Sequence, residues 1–184
     1  MKILTGNWRG KPIQFKANPF LRPTADKARK AVFDMLQDGV AGKRALDLFA
    51  GTGALGFEAL SNGADFVTFV EMNKNQATFL ENNLKKFEVE KCGEVLVQDA
   101  LEAIPYLYEK KQIYDLIFID PPYKQELAVK ALELLARLPL WTSGSLIFAE
   151  CHAKETLPER VGELTQIKSK TYGDTQILVY SVSV

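Results

Sequence analysis

From residue 42 onward, short apolar runs alternate with stretches in which apolar residues recur every three or four positions, the pattern of βαβ units and a mostly parallel sheet. The strand-length runs are 44–49 (RALDLF), 66–70 (FVTFV), 94–98 (EVLVQ), 114–119 (YDLIFI) and 144–149 (GSLIFA). Helices are expected between them at 53–61, 73–86, 100–109 and 125–137; in the last, Leu127, Ala131, Leu134, Leu135 and Leu138 mark one face. Strands so uniformly apolar imply helices on both sides of the sheet. A short helix is expected near 153–160. After it, 163–171 and 175–183 read as two strands joined at Tyr172-Gly173-Asp174, an antiparallel hairpin that finishes the sheet. The sum is an α/β, Rossmann-like chain with a seven-stranded, mostly parallel sheet.

Ahead of the sheet, 2–5 and 12–16 are expected to form a small hairpin around Gly6 and Gly10. A helix over 25–37 follows, with Thr24 as its N-cap and Ala28, Ala31, Val32, Met35 and Leu36 as its apolar stripe. Its other face carries Lys27 and Lys30. No internal repeat or low-complexity segment is present.

At 184 residues and 47% hydrophobic composition, one main core is the default. No apolar run approaches the roughly 20 residues of a membrane span, and the first residues lack a signal-peptide core, so a soluble, cytoplasmic protein is expected. Two cysteines, Cys92 and Cys151, and a lone His152 give neither a disulfide framework nor a zinc site, and no metal is expected. His152 is expected at the surface, and Trp8 and Trp141 as packing residues. The net charge of zero hides an asymmetry: residues 1–44 hold ten basic and three acidic side chains, and the other 140 hold 13 and 20. A basic arm on an acidic body points to a polyanionic partner at one end. The chain is therefore divided at 41/42 into a basic N-terminal hairpin and helix facing that polyanion, with Arg9, Lys11, Arg22, Lys27 and Lys30 as candidate phosphate contacts, and a main domain over 42–184.

Three motifs carry chemistry. Gly51, Gly53 and Gly56 satisfy G-x-G-x-x-G on a strand-to-helix turn, and Glu71 ends the next strand, where a carboxylate can accept hydrogen bonds from both ribose hydroxyls. Both NAD and S-adenosylmethionine (SAM) use such an acid. Asp47, four residues before the first glycine, favours SAM, because it can reach the cationic methionine end and would repel a pyrophosphate. Asp99 closes the third strand, where it could accept from an adenine amino group or simply cap the helix that begins at 100. The most specific motif is Asp120-Pro121-Pro122-Tyr123, directly after an apolar strand. The carboxylate and a proline-fixed carbonyl form an acceptor-only pair suited to an exocyclic amine with two N–H donors, and Tyr123 offers a stacking face.

Asp47 to Gly53 together with Asp-Pro-Pro-Tyr resemble the class I SAM-dependent methyltransferases that modify nucleic-acid amino groups. Gly6-Asn7-Trp8-Arg9-Gly10-Lys11, Arg22-Pro23-Thr24-Ala25-Asp26-Lys27-Ala28-Arg29, Asp47 to Gly56 and Tyr172-Gly173-Asp174-Thr175 narrow this to a resemblance to the bacterial 16S rRNA (guanine(966)-N2)-methyltransferase family over essentially the whole chain. Ala25 and Asp34 depart from the Thr and Asn expected there. The resemblance implies cofactor contacts at Asp47, Gly51, Gly53, Glu71, Asp99 and Ala100, and a base-amine site at Asp120 to Tyr123. It also implies transfer to guanine N2 of 16S rRNA or an assembling 30S subunit, with the basic N-terminal segment engaging the RNA; a monomer with no obligate protein partner is expected. The competing readings are a DNA adenine-N6 or cytosine-N4 methyltransferase, weakened by the lack of a separate DNA-recognition domain; a small NAD-dependent oxidoreductase, which has no use for Asp-Pro-Pro-Tyr; and an inactive SAM-binding RNA chaperone.

Overall fold

The computed structural model describes residues 1–15, 26–122 and 126–182. Its strands are β1 (Arg44–Asp47), β2 (Phe66–Val70), β3 (Gly93–Leu96), β4 (Leu116–Ile119), β5 (Leu146–His152), β6 (Arg160–Val161), β7 (Leu164–Tyr172) and β8 (Thr175–Val182). Its helices are α1 (Asp26–Leu36), α2 (Ala54–Ser61), α3 (Lys74–Lys86), α4 (Ala100–Glu109) and α5 (Leu127–Arg137). The strands make one sheet in the order β3-β2-β1-β4-β5-β8-β7-β6, the first five parallel and the last three antiparallel to their neighbours.

Alternation along the strands splits the core in two. On one face, Ala45, Phe69, Phe118, Phe148 and Val179 pack under α1, α2 and α3, with Phe33 of α1 against Phe118 at a centroid distance of 6.0 Å. On the other, Leu46, Ile117, Ile147, Leu178 and Tyr180 pack under α4 and α5. This double cover is what the unbroken apolar strands required.

Two expectations change. The sheet has eight strands because the segment expected as a helix near 153–160 instead turns and adds the two-residue β6 beside β7. That stretch carries Pro158, whose missing N–H and fixed φ oppose a helix interior. The N-terminal hairpin is reduced to a single antiparallel bridge, Lys2 with Pro12, closed by a 3₁₀ turn over Gly6–Trp8. The bridge is made by Ile3 N–H to Lys11 O (3.0 Å) and Ile13 N–H to Met1 O (3.0 Å), and Gly10 N–H donates to Ile3 O at 2.8 Å beside the turn.

This segment is bound firmly to the body. Glu58 of α2, 1% exposed, accepts from Leu4 N–H (2.6 Å), Thr5 N–H (2.9 Å) and the Thr5 hydroxyl (2.6 Å), and lies 3.2 Å from Arg29 Nε. Arg29 also donates to Lys2 O and to Asp26, both at 3.0 Å. The apolar stripe of α1 is buried at Ala28, Ala31, Val32 and Leu36 and half-buried at Met35, and Arg29 and Phe33 are buried with it. One of the ten cations of the basic arm is thus an internal staple. Trp8 stacks on Phe87 (4.6 Å, 11°) and buried Trp141 donates to Leu135 O (3.0 Å), so both are packing residues. His152 is a half-buried strand end, and no helix among the described residues is long and apolar enough to cross a membrane.

Candidate functional site

In a parallel sheet the chain leaves every strand at one edge, and a crevice opens where successive crossovers run in opposite directions. Here that point lies between β1 and β4. From β1 the chain winds outward to β2 and β3, then returns to β4 on the other side. Asp47 ends β1, Glu71 follows β2 and Asp120 follows β4, so topology alone gathers three carboxylates at one edge.

The glycine turn builds the floor. Gly51 and Gly53 have φ of 52° and 77°, left-handed values that L side chains rarely adopt. A Cβ at Gly56 would stand 2.2 Å from the Phe69 ring, so this glycine serves the close seat of α2 on β2. Asp47, 2% exposed, accepts from Gly56 N–H at 2.9 Å. Burial pushes its carboxyl up to about 7, the Gly56 bond opposes that, and the negative charges of Asp120 and Glu71 add to it. Half-buried Glu71 accepts from Gly51 N–H (2.9 Å) and Asn73 N–H (2.7 Å), and burial outweighs these bonds to raise its carboxyl also. A carboxylate has about four lone-pair sites, so each Glu71 oxygen can accept again.

Three mutually repelling carboxylates fit a cation and disfavour a pyrophosphate, which suits a sulfonium nucleoside and not a dinucleotide.

Asp99 caps α4: its Oδ1 accepts from Leu101 N–H (2.8 Å) and Glu102 N–H (3.4 Å), with Ala100 buried as the first helical residue. The cap and the nucleoside reading are compatible, because only Oδ1 takes part in the cap. Asp120 is half-buried, Pro121 buried and Pro122 exposed; Tyr123 lies outside the described residues.

The cations expected to meet RNA do not form one patch. Lys27 and Lys30 lie exposed on α1, Lys30 paired with Asp34 at 2.8 Å. Arg9 and Lys11 are exposed on the hairpin, where Trp8 N–H donates to Ser61 Oγ (2.9 Å) at the C-terminal end of α2. That end lies toward the edge where β2 begins, away from Asp120. Arg22 and Thr24 lie outside the described residues.

A double-wound sheet, a glycine turn after β1, an acid after β2 and Asp-Pro-Pro after β4 define a Rossmann-like fold of the class I methyltransferase type. The chain belongs to the family described as conserved hypothetical protein 95, whose model matches residues 1–181. It is 34% identical to the ribosomal RNA small subunit methyltransferase D of Haemophilus influenzae, with 98% of this chain and 93% of that one covered, and 31% identical to the Escherichia coli K12 protein of the same name, covering 98% and 89%. Among solved structures, the yhhF protein of Escherichia coli, assigned there to the methyltransferases, matches with a TM-score of 0.88 at 28% identity over 100% of this chain and 98% of that one.

Proposed function

We propose that this chain transfers a methyl group from SAM to the exocyclic N2 amine of a guanine in 16S rRNA, the guanine being that at position 966 and the substrate the rRNA itself or an assembling small subunit. Its relatives are named ribosomal RNA small subunit methyltransferases, and its sequence carries the Asp-Pro-Pro-Tyr and Arg-Pro-Thr segments on which the family resemblance rests. The observation that carries the reading is the convergence of Asp47, Glu71 and Asp120 at the switch point of the sheet, a site built for one cation beside one amine.

SAM supplies an electrophilic methyl on a cationic sulfur; the chain supplies position. Asp47 and Glu71 fix the two ends of the nucleoside, and Asp99 is placed to accept from the adenine amine. The Asp120 carboxylate and the Pro121 carbonyl accept the two N–H bonds of the target amine, which draws its lone pair out of the ring's conjugation and aims it at the methyl. Tyr123 stacks on the base. Holding two reactants in line replaces a large part of the entropy of a bimolecular encounter, so no metal or covalent nucleophile is called for. The N-terminal 41 residues serve as the RNA-facing element and 42–184 as the catalytic one, in a soluble, cytoplasmic monomer.

The test is incubation with methyl-labelled SAM and three substrates: naked 16S rRNA, assembling 30S particles and DNA. Label in RNA supports the reading, and label confined to DNA overturns it. Calorimetry on Asp120→Ala separates the two halves of the site. Affinity for SAM should stay within a few-fold while transfer falls by roughly 10- to 150-fold, the worth of a charged acceptor bond of about 1.5–3 kcal/mol. Loss of SAM binding along with activity would remove Asp120 from the amine.

A further inference from the structure

The second basic surface lies at the other end of the chain. A cleft of about 430 Å³ runs between α1 and β7, lined by Lys27, Lys30 and Asp34 from the helix and Lys168, Lys170 and Tyr172 from the strand. Four cations and one anion face each other across it. Lys168 and Lys170 are exposed and have no carboxylate partner among the described residues.

The lysines reach this face through a β-bulge. Up to Gln166, β7 follows the parity of Leu164, which is buried in the core under α4 and α5. Between Gln166 and Lys168 the register with β8 shifts: Gln166 pairs with Tyr180, and Lys168 with the very next position, Val179. Ile167 is the extra residue. Were Ile167 instead paired in a regular ladder, Lys168 and Lys170 would share the face of Leu164; with the bulge they stand opposite Val179 and Ile177, on the α1 face of the sheet. Bulges at sheet edges commonly re-aim side chains next to functional sites.

Strand register then sets where they point. Ile119 pairs with Ala149, which pairs with Leu178; the next row joins Glu150, Ile177 and Lys170. Asp120 enters that same row, three strands away, about 14 Å at ordinary strand spacing. On α1, Arg29 donates to Met1 Sδ (3.1 Å), which accepts from Thr52 Oγ1 (3.7 Å) in the glycine turn, so the first turns of α1 also lie toward the edge that carries the site.

We propose that this cleft seats the phosphodiester backbone of the substrate RNA a few nucleotides from the base presented to Asp120, with Lys168 and Lys170 as phosphate contacts joined by Lys27. The proposal rests on the RNA methyltransferase reading and deepens it by assigning the track along which the strand lies. Single-stranded RNA suits a cleft of this kind: cations meet the backbone, and Tyr172, half-buried at the end of β7 that lies at the site edge, presents an aromatic face. Arg9 and Lys11, toward the opposite edge, lie off the track.

The test compares wild type, Lys168→Ala/Lys170→Ala and Lys110→Ala/Lys111→Ala, the last at exposed lysines after α4. Binding to a 16S rRNA fragment is followed from 50 to 200 mM salt. Losing two phosphate contacts should flatten the slope of log affinity against log salt by about 1.5. It should also raise the RNA Kd and KM roughly ten-fold at the low-salt end, leaving kcat at saturating RNA and SAM affinity unchanged. Arginine at both positions should restore the slope. Equal slopes for wild type and the Lys168/Lys170 variant overturn the cleft while leaving the enzyme reading intact; a wild type that neither binds nor methylates RNA overturns that reading and the cleft with it.

Discussion

Asp47 holds a proton at pH values where an ordinary aspartate has lost it: its carboxyl titrates at about 7 in the folded chain against 3.8 normally. In that window the folded state binds more protons than the unfolded one, so stability falls as pH rises from about 4 to about 7 and then levels off. Asp47→Asn keeps an acceptor for Gly56 N–H and removes the charge. At pH 8 it should unfold at higher urea than wild type, with an advantage of up to on the order of 4 kcal/mol that shrinks toward zero near pH 4. The same variant should bind SAM at least ten-fold more weakly, and wild-type affinity should rise with pH through about 7, because the cation prefers the ionised carboxylate; calorimetry at pH 6 and 8 checks both. Glu71→Ala, by removing the proposed ribose acceptor, should raise the SAM dissociation constant by about one to two orders of magnitude with a smaller effect on the rate at saturating SAM. These residues were legible in the sequence because each sits at a fixed offset from a glycine turn or a strand end. Arg29 was not. Its burial depends on Glu58, 29 positions away on another helix, and no local pattern distinguishes it from its exposed neighbours Lys27 and Lys30.

Among the elements, the five parallel strands and the helices between them were readable to within a few residues, since burial on both faces forces continuous apolar runs. The stretch near 153–160 was not, because two residues of β6 gain their order from pairing with β7 and not from any period of their own. The bulge at Ile167 was equally hidden: the spacing of Lys168 and Lys170 puts them on one face of a strand, but which face depends on a single extra residue visible only in the register. The staple between Arg29 and Glu58 holds the N-terminal segment, α1 and α2 together, so its failure should be felt by all three. Glu58→Gln leaves buried Arg29 with the exposed Asp26 as its remaining carboxylate partner among the described residues and should cost about 1.5–3 kcal/mol, measurable as a lower urea midpoint. A loss below about 1 kcal/mol would mean that the segment is held by its apolar contacts at Ile3 and Ile13 alone.

Across the whole molecule, charge and chemistry are arranged around one edge of the sheet. The acidic crevice between β1 and β4 is the proposed cofactor site, and the lysines of α1 and β7 line a cleft toward the same edge, so the surplus of seven positive charges in residues 1–44 is only part of the basic surface. The central claim is that Asp120, at this edge, presents a guanine amine to SAM. Nucleoside analysis of 16S rRNA after incubation with labelled SAM tests it most directly, with wild type and Asp120→Ala side by side. The account predicts label in N2-methylguanosine at a single site for wild type and label appearing roughly 10- to 150-fold more slowly for the variant; label in adenine or cytosine, or undiminished N2-methylguanosine from Asp120→Ala, would contradict it.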